Sequence, residues 1–392
     1  MEPVLRFKAD DGSDFPDWEE KTLGELCAPL TYGMNAAATR FDGENRYIRI
    51  TDIDDETHAY LSDDVVSPEG KLDDKYIVGN GDILLARTGA STGKSYLYHS
   101  KDGKLFYAGF LIKAHVLSSS DDYFVYSQTL TDKYWKWVKT TSMRSGQPGI
   151  NATEYASYSF AVPSLPEQHK IADLLSTVDR VIAAQQAEVN AWEQRKKGVM
   201  QKLFSQEVRF KADDGSDFPD WEKKKLGEIC EYGRQRGIGA HYVGTENMLK
   251  DFEGIAIDNP EAEASGSLYF EGDTLMSNIR PYLKKAWKAN CNGVCSTDVL
   301  VFHPTNVESD YLHCVIASDS FVAYVMSAAK GSKMPRGDKA HIMHMPLILP
   351  SLPEQRKIAD CLSSINDVIV KAKAELAKWQ ELKKGLLQQM FV

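Results

Sequence analysis

The sequence contains no apolar run of the 18–20 residues that a helix needs to cross a bilayer. Its opening, Met1-Glu2-Pro3-Val4-Leu5-Arg6, has no signal-peptide core, so a cytoplasmic location is expected. Six cysteines in 392 residues are too sparse for a disulfide scaffold. Cys291, Cys295, His303, His313 and Cys314 do not have zinc-finger spacing, and the cysteines read as ordinary buried thiols. His341 and His344 read as surface or packing residues. Enzyme signatures are also missing: there is no Gly-x-Ser-x-Gly and no His-Glu-x-x-His. Asp258-Asn259-Pro260-Glu261 is not the Asn-Pro-Pro-Tyr/Phe of an amino-methyltransferase. Ile83-Leu84-Leu85 followed by Gly89-x-x-x-Gly93-Lys94-Ser95 imitates a phosphate-binding loop, but has three residues between its glycines where four are required. No catalytic residue, metal site or bound cofactor is therefore expected in this chain.

What the sequence does have is a duplication. Arg6-Phe7-Lys8-Ala9-Asp10-Asp11-Gly12-Ser13-Asp14-Phe15-Pro16-Asp17-Trp18-Glu19 recurs unchanged from Arg209 to Glu222. Pro163-Ser164-Leu165-Pro166-Glu167-Gln168 recurs from Pro350 to Gln355, and Lys170-Ile171-Ala172-Asp173 from Lys357 to Asp360. Between these edges the copies diverge, keeping only short matches such as Gly81-Asp82 with Gly272-Asp273 and Asp122-Tyr123 with Asp310-Tyr311. Two modules thus share a frame and differ in content, as two recognisers of different targets would.

Each closing repeat leads into a long helix, with Pro166 and Pro353 in the first turn. One stripe runs Ile171, Leu175, Val178, Ile182, Gln185, Val189, Trp192, Lys196, Val199, Leu203. The other runs Ile358, Leu362, Ile365, Ile369, Ala372, Leu376, Trp379, Lys383, Leu386, Met390. A sustained period of 3.5 is a coiled-coil seam. About 40 residues at 1.5 Å give a rod of about 60 Å. The cheapest partner for each seam is the other, and a pseudo-two-fold axis between the halves makes the pair antiparallel. Phe204 leads within five residues into Arg209-Phe210, so Phe391 is expected to lie close to Arg6-Phe7.

The modules, 22–163 and 225–348, read as mixed α/β. Ile83–Ala86, Leu111-Ile112, Leu275-Met276 and Val299–Phe302 read as buried strands, and Tyr123–Val138 and Tyr311–Met326 as helices. The net charge is −10, which by itself argues against nucleic acid. Its distribution changes that. Residues 1–163 carry 17 basic and 25 acidic residues, but the base is clustered in loops. In the first module these are Arg87-Thr88-Gly89-Ala90-Ser91-Thr92-Gly93-Lys94-Ser95 and Arg144-Ser145-Gly146-Gln147-Pro148-Gly149-Ile150-Asn151. In the second they are Arg280-Pro281-Tyr282-Leu283-Lys284-Lys285-Ala286-Trp287-Lys288 and Gly331-Ser332-Lys333-Met334-Pro335-Arg336-Gly337-Asp338-Lys339. Arg and Lys hold phosphates or guanine, and Gln reads adenine. The candidate DNA-binding residues are Arg87, Lys94, Arg144 and Gln147, with Arg280, Lys284, Lys285, Lys333 and Arg336.

The duplicated Val/Leu-Pro-Ser-Leu-Pro-Glu-Gln-x-Lys-Ile-Ala-Asp (from Val162 and Leu349) is followed each time by a long helix. With Gly272-Asp273-Thr274-Leu275-Met276-Ser277-Asn278-Ile279-Arg280, it resembles the specificity (S) subunits of type I restriction–modification systems, over essentially the whole chain. The resemblance implies an α+β fold. Two pseudo-symmetric mixed α/β target-recognition domains, 1–163 and 208–350, would be joined by antiparallel helical spacers, 164–207 and 351–392. It implies a non-catalytic subunit whose domains read the two halves of a bipartite, asymmetric double-stranded DNA site. Two methylase (M) subunits would use S-adenosylmethionine to modify adenine at N6, and restriction (R) subunits would use ATP and Mg. The partners would supply much of the phosphate-neutralising charge, so the isolated chain is expected to bind DNA weakly. The residues alone leave open a stand-alone DNA-binding regulator, a coiled-coil adaptor, and an enzyme built on the near-phosphate loop.

Overall fold

The computed structural model describes residues 3–256 and 260–391. Asp258 and Asn259 of the rejected methyltransferase motif, like Met1 and Glu2, lie outside the described residues. The chain divides into two compact units, residues 1–187 with 373–392, and residues 188–372. Each unit therefore holds half of both long helices, Leu165–Phe204 and Leu352–Met390.

Unit 1 is built on a four-stranded antiparallel sheet in the order Thr31–Tyr32, Leu111–His115, Asp82–Ala86, Ser95–Leu97. Unit 2 repeats the order with Cys230–Tyr232, Val299–Pro304, Thr274–Ser277 and Ala286–Lys288. The central strands are apolar on both faces because each is covered twice. In unit 1, Ile83, Leu85 and Ile112 pack under Phe124 and Tyr134, while Leu84 and Leu111 pack against Ile48 and Leu105. The four strand readings hold. The two helical readings are each broken in two: Asp122–Gln128 and Asp132–Thr141 in unit 1, Ser309–Ile316 and Asp319–Ser327 in unit 2. The breaks are caps, since Thr131 accepts the Tyr134 amide and Ser318 the Phe321 amide.

The long helices pair antiparallel in each unit, as the seam predicts. In unit 1, Ile171 and Leu175 share a core with Leu386, Leu387 and Met390. Asp179 there takes Lys383 Nζ at 2.7 Å and the Tyr123 hydroxyl. In unit 2, Ile358 and Leu362 pack with Val199 and Leu203, and Lys196 Nζ donates to Asn366 Oδ1 at 2.7 Å. Both seam lysines thus find a polar partner at one level, the device by which coiled coils select register.

The duplicated edges form one contact made twice. Glu167 is fully buried at the start of its helix. It accepts Arg6 through both oxygens (3.1 and 2.9 Å) and the Trp18 indole N–H at 3.2 Å. Glu354 accepts Arg209 (3.0 and 2.8 Å) and Trp221 (3.0 Å) in the same way. Gln168 and Gln355 accept the backbone amides of Asp121 and Glu308 and donate to the carbonyls of Pro163 and Pro350. Leu5 N–H donates to Gln389 O at 3.0 Å, and Phe391 joins the core of unit 1 beside Phe7, so the ends meet as expected.

Unit 2 also encloses His313, whose Nδ1 is buried without a hydrogen-bond partner among the described residues. Burial, then the ammonium groups of Lys196 and Lys288, push its imidazole down to about 4, with Asp310 opposing. The folded pKa lies below the ordinary value near 6.5, so the unfolded chain takes up the proton first. The stability is complete above pH 6.5 and is lost as the pH falls toward 4. Between pH 7.5 and 5 the loss should be about 2 kcal/mol. Urea unfolding of the wild type and His313→Leu at the two pH values checks it: the variant should lose that much less.

Candidate nucleic-acid interface

The repeated Gly-Asp pair begins the central strand. Asp82 caps the turn before it by accepting the Gly79 amide at 2.8 Å, and takes His115 Nδ1 from the neighbouring strand at 2.8 Å. Asp273 does the same with the Phe270 amide (2.8 Å) and His303 Nδ1 (2.7 Å). This fixes where the strand starts, and hence where the chain leaves it at the far end.

At that end the two candidate loops of each unit are joined. In unit 1, the Gly89 amide donates to Pro148 O at 3.0 Å and the Ile150 amide to Arg87 O at 3.0 Å. In unit 2, the Arg280 amide donates to Pro335 O at 2.8 Å, and Ile279 bridges Arg336. Gly89 has φ +72°, and Arg280 holds the corresponding position at φ +50°. A left-handed arginine costs about 1–2 kcal/mol that glycine avoids. Asp338 anchors the unit 2 loop: Lys330 and the His341 and Ala340 amides hold its carboxyl at about 2.

The nine predicted residues separate by what their side chains touch. Arg280 and Lys333 are exposed and have no side-chain partner among the described residues; Gln147 is exposed, its amide nitrogen beside Gly89. Arg87 is half-buried with its guanidinium 4.9 Å over the Tyr32 ring, and its Nε has no partner among the described residues. Arg144 binds the Thr141 and Met143 carbonyls, closing the helix before it, and pairs with Glu154 at 2.6 Å. Arg336 lies 3.0 Å from Asp298.

The remaining three lysines are held by contacts within the protein. Lys94 is buried, its ammonium on Ile53 O at 2.9 Å and Asp55 at 2.5 Å, because the loop runs straight into the strand Ser95–Leu97. For the same reason no helix follows Lys94, and the phosphate-loop resemblance ends there. Lys284 pairs with Asp319 at 2.7 Å, lowering that carboxyl, and Lys285 donates to Thr245 O at 2.8 Å. These amines hold loops in place.

Two cations outside the predicted loops, Arg234 and Arg236, stand beside Lys339 of the second unit 2 loop. Arg234, Arg236 and Lys339 line a polar groove of about 140 Å³ with Tyr232, Ser267 and Thr297. The Gly233-Arg234-Gln235-Arg236-Gly237 spacing was the available signal. Unit 1 has no cation after Tyr32-Gly33 until Arg40. The two units therefore present differing chemistry around the same paired loops.

A family model described as the type I restriction modification DNA specificity domain matches residues 16–191 and again 219–378. The chain belongs to that family. It is 23% identical over 416 residues to the type I restriction enzyme MjaVIII specificity subunit of Methanocaldococcus jannaschii, covering 97% of this chain and 94% of the relative. It is 20% identical to the type I restriction enzyme EcoDI specificity subunit of Escherichia coli, covering 96% and 88%. A crystal structure of the type I restriction–modification S subunit from M. genitalium matches with a TM-score of 0.62 at 16% identity, covering 100% of this chain and 99% of that one. The fold read from the duplication is thus that of the specificity family. No helix among the described residues is long and apolar enough to cross a membrane.

Proposed function

We propose that this chain is the DNA specificity subunit of a type I restriction–modification complex, acting in the cytoplasm without catalysing a reaction itself. Each unit's recognition module reads one half of a bipartite, asymmetric DNA site. The long helices set the unread spacer and dock two methylase subunits, which carry S-adenosylmethionine and modify adenine at N6. ATP-dependent restriction subunits complete the assembly. One observation carries this reading: a common four-stranded frame presents, at the same place in each module, two joined loops of differing polar content. Repetition of the frame fits a shared role, and divergence of the loops fits an asymmetric target. Arg87, Arg144, Gln147, Arg280, Lys333 and Arg336 are the proposed DNA contacts among the loop residues. Lys94, Lys284 and Lys285 position those loops. The half-buried Arg87 and the ion-paired Arg144 and Arg336 would exchange present contacts for DNA, so Arg280 and Lys333 are the readiest.

The test is genome-wide mapping of N6-methyladenine in cells with and without this gene. Loss of one split motif on deletion is the expected result. An unchanged methylome in a strain that expresses the partner methylase would reject the proposal and favour an adaptor role.

A further inference from the structure

We propose that the edge strand of unit 2 and the segment leading into it read guanine in the major groove through Arg236 and Arg234, with Ile238 packing on a neighbouring thymine methyl. The inference deepens the DNA-specificity reading above and rests on it.

Arg236–Gly239 is the outer strand of a three-stranded antiparallel sheet, paired among the described residues with Ala264–Tyr269 alone. Arg236 is opposite Ser267, and the Leu268 amide donates to Gln235 O at 2.9 Å, so the sheet holds the backbone of Arg236 and of the residue between the two arginines. The flanking glycines let the segment lie this close. A Cβ on Gly233 would stand 3.0 Å from Val301 Cγ1, and one on Gly237 3.1 Å from Leu268 Cδ2. Arg236 and Ile238 alternate along the strand, which puts them on one side of it, and Arg234 stands two residues before the first of them. All three are exposed, Ile238 to 72%. Neither guanidinium has a protein partner among the described residues. An edge that is unpaired among the described residues and carries an exposed β-branched residue invites association, which calls for an occupant.

DNA fits that occupant by dimension and chemistry. The major groove admits a β-ribbon, and arginine meets guanine O6 and N7 through two parallel N–H bonds. Two residues of strand advance about 7 Å. Two base steps advance about 6.8 Å. The outward pair Arg236 and Ile238 thus matches bases two steps apart, with Arg234 on the side before Arg236. A rigid backbone behind planar forks suits base reading, whereas a phosphate needs only charge. Lys339, across the groove, supplies a cation for the backbone.

The full chain is expressed with its methylase partners, as wild type, Arg234→Ala, Arg236→Ala, the double Arg→Lys variant and Ile238→Ser. Methylated motifs are then read by sequencing. In each arginine variant, discrimination for guanine at one position of one half-site should fall roughly 5- to 150-fold. The other half-site should be unchanged. The double Lys variant keeps the charge, so it is the arm to read if alanine weakens assembly, and it should lose the same discrimination. Ile238→Ser should relax a thymine next to it. A motif unchanged in all variants overturns this proposal alone, as does full retention of the motif by the Lys variant, which would mark phosphate contacts. If wild type methylates no split motif, the specificity reading fails and takes this proposal with it.

Discussion

Glu354→Ala is expected to destabilise unit 2 by about 3 kcal/mol or more, lowering its melting temperature by on the order of 10 °C. The carboxylate is fully buried and receives three charge-assisted or indole N–H bonds from Arg209 and Trp221. Arg209 in turn binds the Phe218 and Pro219 carbonyls, so the guanidinium ties the repeated hairpin to the helix start. Truncation leaves a half-buried cation and an indole donor facing a void. Loss of one partner costs more than loss of both. Arg209→Met with Glu354→Met should therefore recover much of the damage. A double-mutant cycle by urea unfolding, with coupling above about 2 kcal/mol expected, measures this. Coupling below 1 kcal/mol would mean that the exact repeat is kept for another reason. Glu167→Ala should repeat the result through Arg6 and Trp18.

The second large effect concerns the helices. Seven residues inserted after Ala187 alone should abolish site-specific methylation. The first long helix pairs through Asp179–Lys383 in unit 1 and Lys196–Asn366 in unit 2, both with the same partner helix. Seven residues add about 10.5 Å to one helix and nothing to the other, so both pairings cannot be kept. A matched insertion after Ala372 restores them. If the helices set the unread spacer, the doubly lengthened protein should methylate a motif with about three more base pairs between its halves, or none. The three extra base pairs also rotate one half-site about the duplex, which is why complete loss remains a result consistent with a rigid ruler. Methylation mapping decides, and an unchanged spacer in the double insertion would refute the ruler.

The limits of sequence reading show in particular residues. Thr131 and Ser318 are caps that apolar periodicity ran over, so two predicted helices became four. Glu167 and Glu354 stood inside a motif that was seen twice, yet their role waited on Arg6 and Arg209, far away in sequence. The Gly-Asp pairs stand out in the sequence only as short matches between the copies; their partners, His115 and His303, come from the neighbouring strand.

The sequence alone determined the duplication, the strand frame, the two long helices and their antiparallel seam. Each is written in local periodicity or literal repetition, and burying an apolar stripe leaves few choices of partner. Which cations face solvent was decided only by tertiary structure. Lys94, Lys284 and Lys285 look like their neighbours Arg87 and Arg280 in sequence. Their charges are consumed by Asp55, Asp319 and the carbonyls of Ile53 and Thr245, some of them 40 residues away. Arg236 stays open because its strand lies at a sheet edge, with Arg234 in the segment leading into it, and an edge exists only once the other strands are in place.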